Sequence, residues 1–199
     1  MQKTQLALFP LQLFLLPGER TNLHIFEDRY RQLLEDCEDS NILFGIPFAE
    51  NGHLSGFGCV VKLIRVLKKY ENGSSDIEVE ATELFKIDQF YMRFGEKLYP
   101  GGDVSVMEID ELEPISADLL RALDNYLTKA KLNFRSEISP VDMNVFEIAS
   151  LLDLSQKDKI RLAKASNGKR QEQIILDHIA ISSKLLEQEK SIQGSIFLN

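Results

Sequence analysis

The chain has 199 residues, of which 44% are hydrophobic and 27% charged, with a formal net charge of −8. That length allows one domain or a small pair, and the balance is that of a soluble globular chain and not of a disordered tail. Two cysteines, Cys37 and Cys59, are too few for a disulfide framework and read as small core residues in a reducing compartment.

The first apolar run, Leu6 to Leu16, is interrupted by Pro10 and Gln12 and ends at Pro17-Gly18 with no small-residue cleavage site. It therefore reads as structure and not as a secretion signal. No run approaches the roughly 20 apolar residues of a membrane helix, so the expected location is the cytoplasm. Leu6-Leu8 and Leu11-Leu13-Leu15 alternate as strands do, and Pro17-Gly18 turns the chain toward Leu23-His24-Ile25. A helix is expected from about Glu27 to Glu38, because Tyr30, Leu33, Leu34 and Cys37 fall at i, i+3, i+4 and i+7. Ile42 to Phe48 reads as a strand, followed by the hairpin signal Asn51-Gly52. The next strand, Gly58 to Tyr70, alternates through Cys59, Val61 and Leu63 and then slips by one at Ile64-Val66, the mark of a bulge. After a turn at Glu71 to Ser75 come Ile77-Val79-Ala81, with Glu78 and Glu80 outward, a strand through Phe85 and Ile87 to Phe94, a turn at Pro100 to Asp103, and a last strand from Val104 to Ile109. Six or seven strands, short turns and one helix indicate a small barrel or a closed, strongly bent sheet.

Beyond Pro114 the period becomes helical. Ser116 is placed to cap a helix with the stripe Leu119, Leu120, Leu123, Tyr126, Leu127 and Ala130. A second helix carries Val145, Ile148, Ala149 and Leu152, and Ser155 caps a third. The fourth follows Asn167-Gly168, with Ile174, Ile175, His178, Ile181, Leu185 and Leu186 on one face. The tail Ile196-Phe197-Leu198 has no assigned place. The organisation expected is α+β: a barrel part over residues 1–113 and a helical part over 114–199.

Charge changes near the same point. Residues 1–118 hold 11 basic and 21 acidic side chains, residues 119–199 hold 12 and 10. An acidic front half opposes phosphate-backbone binding, which is carried by Lys and Arg. The exception is the run Lys157, Lys159, Arg161, Lys164, Lys169 and Arg170, for which a solvated helix face outweighs an anion or RNA site. The acidic run Glu108, Asp110, Glu111 and Glu113 reads as a solvated connection. Reaction chemistry has little support. The only Gly-Lys pair, Gly168-Lys169, has Ala163 where a phosphate loop needs its first Gly and Arg170 where it needs Ser or Thr. His24, His53 and His178 stand in no zinc-binding arrangement, and no Gly-x-Ser-x-Gly elbow occurs. No catalytic residue, metal or cofactor is assigned.

Three stretches carry a family resemblance: Leu8-Phe9-Pro10-Leu11, Leu16-Pro17-Gly18, and Leu23-His24-Ile25-Phe26-Glu27-Asp28-Arg29-Tyr30-Arg31. In order and spacing they resemble the start of the Lon protease N-terminal domain. Phe44-Gly45-Ile46, the Gly58 to Val66 strand and Glu83-Leu84-Phe85 are similar to that family's later strands, although Thr82 and Glu83 replace its usual Gly and basic pair. Leu154 to Lys159 looks like the lead into its last helices. The resemblance implies a PUA-like β-barrel with one inserted helix, followed by a C-terminal α-helical bundle. It further implies a stand-alone, non-catalytic protein-binding module without the ATPase module or the Ser-Lys protease module of full-length Lon, with a role in protein quality control. Its partners would be unfolded or damaged polypeptide, a separate protease to which it acts as adaptor, or further copies of itself; no membrane partner is expected.

Such a module needs exposed apolar surface rimmed by polar groups. The substrate-binding residues expected on that ground are Phe26, Glu27, Asp28, Arg29, Tyr30 and Arg31, with the apolar side chains standing as core residues otherwise. The alternative is an RNA-binding PUA-like protein that uses Lys164, Lys169 and Arg170; the acidic front half disfavours nucleic acid.

Overall fold

The computed structural model describes residues 2–107, 114–131, 143–165 and 167–196, the last seven as backbone course alone. The chain forms two compact units, Met1–Asp110 and Glu111–Asn199.

The first unit contains β1 (Gln2–Leu8), β2 (Arg20–Ile25), α1 (Asp28–Ser40), β3 (Phe44–Glu50), β4 (His53–Lys69), β5 (Ser75–Tyr91) and β6 (Gly101–Val106). Their order is β2-β5-β4-β3-β1-β6, and β6 pairs back onto β5. Five strands thus close a ring, with β2 as an extra strand on β5. Closure rests on the 17-residue length of β5. Its first half carries β2, from Ile25↔Ser75 to Arg20↔Glu80, and its second half carries β6, from Phe85↔Val106 to Tyr91↔Gly101. Register shifts bend β4 and β5 between these duties, as bulges do in small barrels. Among the six described strands all pairings are antiparallel except β1 with β3. Sequence reading splits β5 at Thr82-Glu83, because the shift from Val61↔Ala81 to Val60↔Glu83 breaks the alternation without breaking the strand.

Leu8, Val60, Phe85 and Val104 fill the interior. Glycine makes room for the Phe85 ring: a Cβ on Gly58 would stand 2.5 Å from both Phe85 Cζ and the Ile46 carbonyl oxygen, and one on Gly45 would stand 2.9 Å from the same ring. The expected turn at Pro100 to Asp103 is instead the start of β6. Gly101 and Gly102 are strand residues against the Phe94 ring and the Gln89 carbonyl, so they mark a close approach, not a reversal. The expected strand through Leu11, Leu13 and Leu15 is reduced to one bridge, Leu11↔Phe48. Phe14, Leu15 and Leu16 are buried in succession, and three consecutive inward side chains cannot belong to a two-sided strand.

The Pro17-Gly18 turn is as expected. Gly18 has φ +86°, and Glu19 N–H donates to Leu16 O. Gly18 N–H donates to Ala81 O while Ala81 N–H donates to Glu19 O, a glycine bulge from which β2 departs. Asn51-Gly52, with both φ values positive, turns β3 into β4. In α1, Tyr30, Leu33, Leu34 and Cys37 are buried as expected. Lys97 Nζ (2.8 Å) and Tyr99 Oη (2.6 Å) hold Asp36, tying the helix to the segment before β6.

The second unit holds α2 (Ala117–Ala130), α3 (Val145–Ser150), α4 (Gln156–Lys164) and α5 (Gly168–Ile196). Ser116 and Ser155 accept from the backbone of Leu119 and Asp158, so both expected caps form. Each shorter helix packs on α5. The α5 face is as expected at Ile174 and Ile175, which are buried, and differs beyond them: Ile179 is buried, whereas Ile181 and Leu185 are 61% and 54% exposed. The buried line follows Ile175 and Ile179, so the expected stripe through His178, Ile181 and Leu185 lies to one side of it. The acidic run at 108–113 and Phe197-Leu198 lie outside the described residues. Among the described residues no helix is long and apolar enough to cross a membrane.

Candidate functional site

The site grows from the passage between β2 and α1. Ile25 is buried, and Glu27 is the N-cap residue of α1, extended at φ −76° and ψ 137°. Its carbonyl accepts from the backbone N–H of Tyr30 and Arg31, both at 2.9 Å. Strand alternation then turns Phe26 outward, 58% exposed. Glu27 Oε2 accepts from Arg29 at 2.8 Å, and the Arg29 guanidinium lies 4.6 Å from the Tyr30 ring centre. Tyr30 is 4% exposed, its ring 3.9 Å from that of Phe9. Of the six expected binding residues, Tyr30 therefore belongs to the core and supports Arg29 from beneath. Arg31 Nη1 donates to Asp28 at 3.1 Å and stands 3.2 Å from where a Gly73 Cβ would be. That packing sets Arg31 against the β4–β5 turn.

Register adds residues that linear reading does not connect. On the outer face, β4 presents Lys62, Arg65 and Lys68 in register with Glu80, Glu78 and Asp76 of β5, which pair with Arg20, Asn22 and His24 of β2. Basic side chains spaced by three meet acidic ones spaced by two because bulges at Leu63/Arg65 and Val66/Lys68 each absorb one residue of β4. Glu80 holds Arg20 at 2.6 Å and Lys62 at 2.8 Å, and Arg65 reaches Glu78 at 2.8 Å. The hydrogen bond from Lys62, with help from Arg20, outweighs desolvation and keeps Glu80 below the usual carboxylate range.

At the end of these columns three rings meet. The His24 ring stacks on Phe26 with centres 5.9 Å apart and meets Tyr70 edge-on at 5.8 Å. Asp76 staples them, with Oδ1 2.6 Å from His24 Nδ1 and Oδ2 accepting from Tyr70 Oη at 2.5 Å. The Tyr70 bond and then the His24 bond hold Asp76 below the usual carboxylate range, and the same contact raises the Tyr70 phenol. Lys68 Nζ sits 4.5 Å from the Tyr70 ring centre. Sequence reading singled out Phe26 and Arg29 as candidates and did not connect them with His24, Lys68, Tyr70 and Asp76, which the register places beside Phe26. His24 and Asp76 are 52 residues apart, and the only signal was the three-residue spacing of the β4 cations against outward Glu78 and Glu80.

The chemistry available here is contact: exposed π-faces, a polar rim of Arg29–Glu27 and Lys69–Glu38 pairs, and a base of paired strands. Beneath α1 the small gap between Phe9, Ile25, Tyr30, Leu34, Phe44 and Ile77 is apolar. The Cys37 thiol bordering it is pushed up to about 12 by burial, reinforced by Asp36 and Glu38. Among the described residues no group of three or more His, Cys, Asp or Glu is placed to hold a metal.

The basic run of the helical unit does not form one surface. Lys159 is buried, Arg161 pairs with Asp158 at 3.0 Å, and Lys164, Lys169 and Arg170 are exposed at the end of α4 and the start of α5.

Comparison with known proteins gives a consistent result. Residues 5–181 match the family model described as the ATP-dependent protease La (LON) substrate-binding domain. The structure of a Lon N-terminal domain protein from Xanthomonas campestris is 27% identical and superposes with a TM-score of 0.65, covering 86% of this chain and 97% of that one. The N-terminal domain of Mycobacterium avium complex Lon protease shares the fold at 14% identity and a TM-score of 0.62, over 89% and 98% of the two chains.

Proposed function

The chain belongs to the Lon substrate-binding domain family, and on that premise we propose that it is a non-catalytic module that captures unfolded or damaged polypeptide, alone or as adaptor to a separate protease, in cytoplasmic quality control. The observation that carries this reading is the exposed triad of rings Phe26, His24 and Tyr70. An unfolded segment offers apolar and aromatic side chains, and stacked or edge-on ring contacts contribute about 0.5–1.5 kcal/mol each beyond area burial. Phe26 is the anchor. Arg29, held by Glu27 and by the Tyr30 ring, forms the rim, and Asp28 with Arg31 fixes the start of α1. Apolar burial at roughly 25 cal/mol per Å² is largely offset by the cost of association, so the expected affinity is micromolar.

The test is fluorescence anisotropy of a labelled, permanently unfolded protein titrated with this one, beside a labelled single-stranded RNA. Saturable binding of the unfolded protein that survives moderate salt supports the reading. Binding confined to RNA and fading with salt would transfer function to Lys164, Lys169 and Arg170.

A further inference from the structure

The edge of β2 supplies a second means of recognition. In the glycine bulge the Glu19 carbonyl points toward β5. Backbone groups alternate in direction along a strand, so those of Thr21, Leu23 and Ile25 face β5, in line with the pairs Thr21↔Val79, Leu23↔Ile77 and Ile25↔Ser75. The N–H and C=O groups of Arg20, Asn22 and His24 therefore point away from the sheet. Among the described residues, β2 has a strand on one side alone, and no backbone bond from the loops reaches these three residues. Edges of this kind are commonly blunted by proline, by inward charge or by a bulge in mid-strand. Here the bulge lies before β2, and the side chains of Arg20 and His24 are drawn onto Glu80 and Asp76, so that among the described residues none of these devices blocks the six-residue edge, whose Arg20, Asn22 and His24 are exposed.

Charge selects the occupant. Across the outer face the columns run basic on β4, acidic on β5, and basic or polar on β2, so the next column is favourable when acidic. A second copy of this chain is a poor fit, since antiparallel pairing of β2 with itself sets Arg20 beside His24. We propose that the open edge of β2 takes up an extended polypeptide segment as an added strand, with acidic side chains alternating on the outer face and apolar ones on the other. This rests on the reading of the protein as a polypeptide-binding module and names how the segment is held: backbone hydrogen bonds to Arg20, Asn22 and His24 fix its register, and Phe26 meets its end.

The test uses the whole chain and a short fluorescein-labelled peptide alternating Val and Glu. Three further forms are compared: one with Lys in place of Glu, and two N-methylated at alternate residues, one in each parity. The expected results are at least about tenfold weaker binding for the Lys form and for one N-methylated parity, with slowed amide exchange at Arg20, Asn22 and His24 in the complex. Asn22→Pro removes an outward N–H without touching the β5 ladder and is expected to weaken binding about tenfold. Should that variant fold poorly, the N-methylated peptides on the unaltered chain decide. Equal affinity for both N-methylated forms, equal affinity for the Lys form, or no slowing at those amides overturns the proposal. If the unfolded protein binds while the Val/Glu peptide does not, edge addition fails and the polypeptide-binding reading survives. If the peptide binds the edge while the unfolded protein does not, edge addition stands and the wider reading fails.

Discussion

The candidate surface of the barrel unit and the basic segment of the helical unit are assembled in opposite ways. His24, Phe26, Tyr70 and Asp76 come from β2, the passage after it, and the β4–β5 hairpin, and register brings them into contact at hydrogen-bond and ring-stacking distances. Lys157 to Arg170 are neighbours in sequence, yet the helix turns Lys159 inward and gives Arg161 to Asp158. A site built by pairing rows is rigid and convergent, while a charge run on a helix is distributed around its axis. Proximity along the chain was thus the weaker guide to which side chains meet on one surface.

The largest test of that difference lies in the barrel interior. Phe85 is fully buried between β-strands and in contact range of Gly45 and Gly58. Phe85→Ala is expected to cost about 3–5 kcal/mol, read as a lowered denaturant midpoint, and to abolish polypeptide binding by loosening the rows that align the rings. A loss below about 1 kcal/mol would show that the rows do not depend on the interior they enclose.

The surface itself is probed next. Phe26→Ala removes an exposed ring, so it is expected to weaken binding of unfolded polypeptide about tenfold while changing stability by no more than about 0.5 kcal/mol. Replacing Lys169 and Arg170 by Gln is expected to leave that binding unchanged. Anisotropy titrations of both variants decide which unit carries recognition, and the reverse pattern would place it on α5.

Much of the fold was legible because its signals are local. Gly18 and Asn51-Gly52 mark turns, Ser116 and Ser155 cap helices, and Tyr30 to Cys37 shows the helical period. What failed depended on distant partners. Gly101 and Gly102 resemble a turn until Phe94 and Gln89 are seen to press on them, and the stripe on α5 cannot be oriented without knowing where the shorter helices pack. The ring triad had no local signature, since its stapling carboxylate lies on another strand.

A smaller effect sharpens the contrast from the helical side. Asn144 and Glu147 form a reciprocal cap at the start of α3: Asn144 Oδ1 accepts from the Phe146 and Glu147 N–H groups, and Glu147 Oε2 accepts from Asn144 N–H at 2.7 Å. Asn144→Ala is expected to cost about 1 kcal/mol in thermal or denaturant unfolding without altering polypeptide binding. Loss of binding in this variant would mean that the local contacts of the helical unit also shape recognition.

The finest test is the pH dependence of Asp76. Its ordinary value as an unfolded carboxyl is about 3.9, and hydrogen bonds from Tyr70 and then His24 hold it lower in the folded chain. A depressed folded value means that the stabilising contribution is full above the unfolded value and is lost as pH falls through the folded one. Asp76→Asn is therefore expected to unfold at a lower denaturant midpoint than the unaltered chain at pH 6, and the gap is expected to close as both are taken below about pH 4. Because the staple is exposed, the gap at pH 6 is small, and it should be accompanied by weaker polypeptide binding at that pH as His24 and Tyr70 lose their common partner. A gap that persists unchanged into acid would assign the role of Asp76 to packing in the β5 column and not to its charge, and the rings would then owe their alignment to strand register alone.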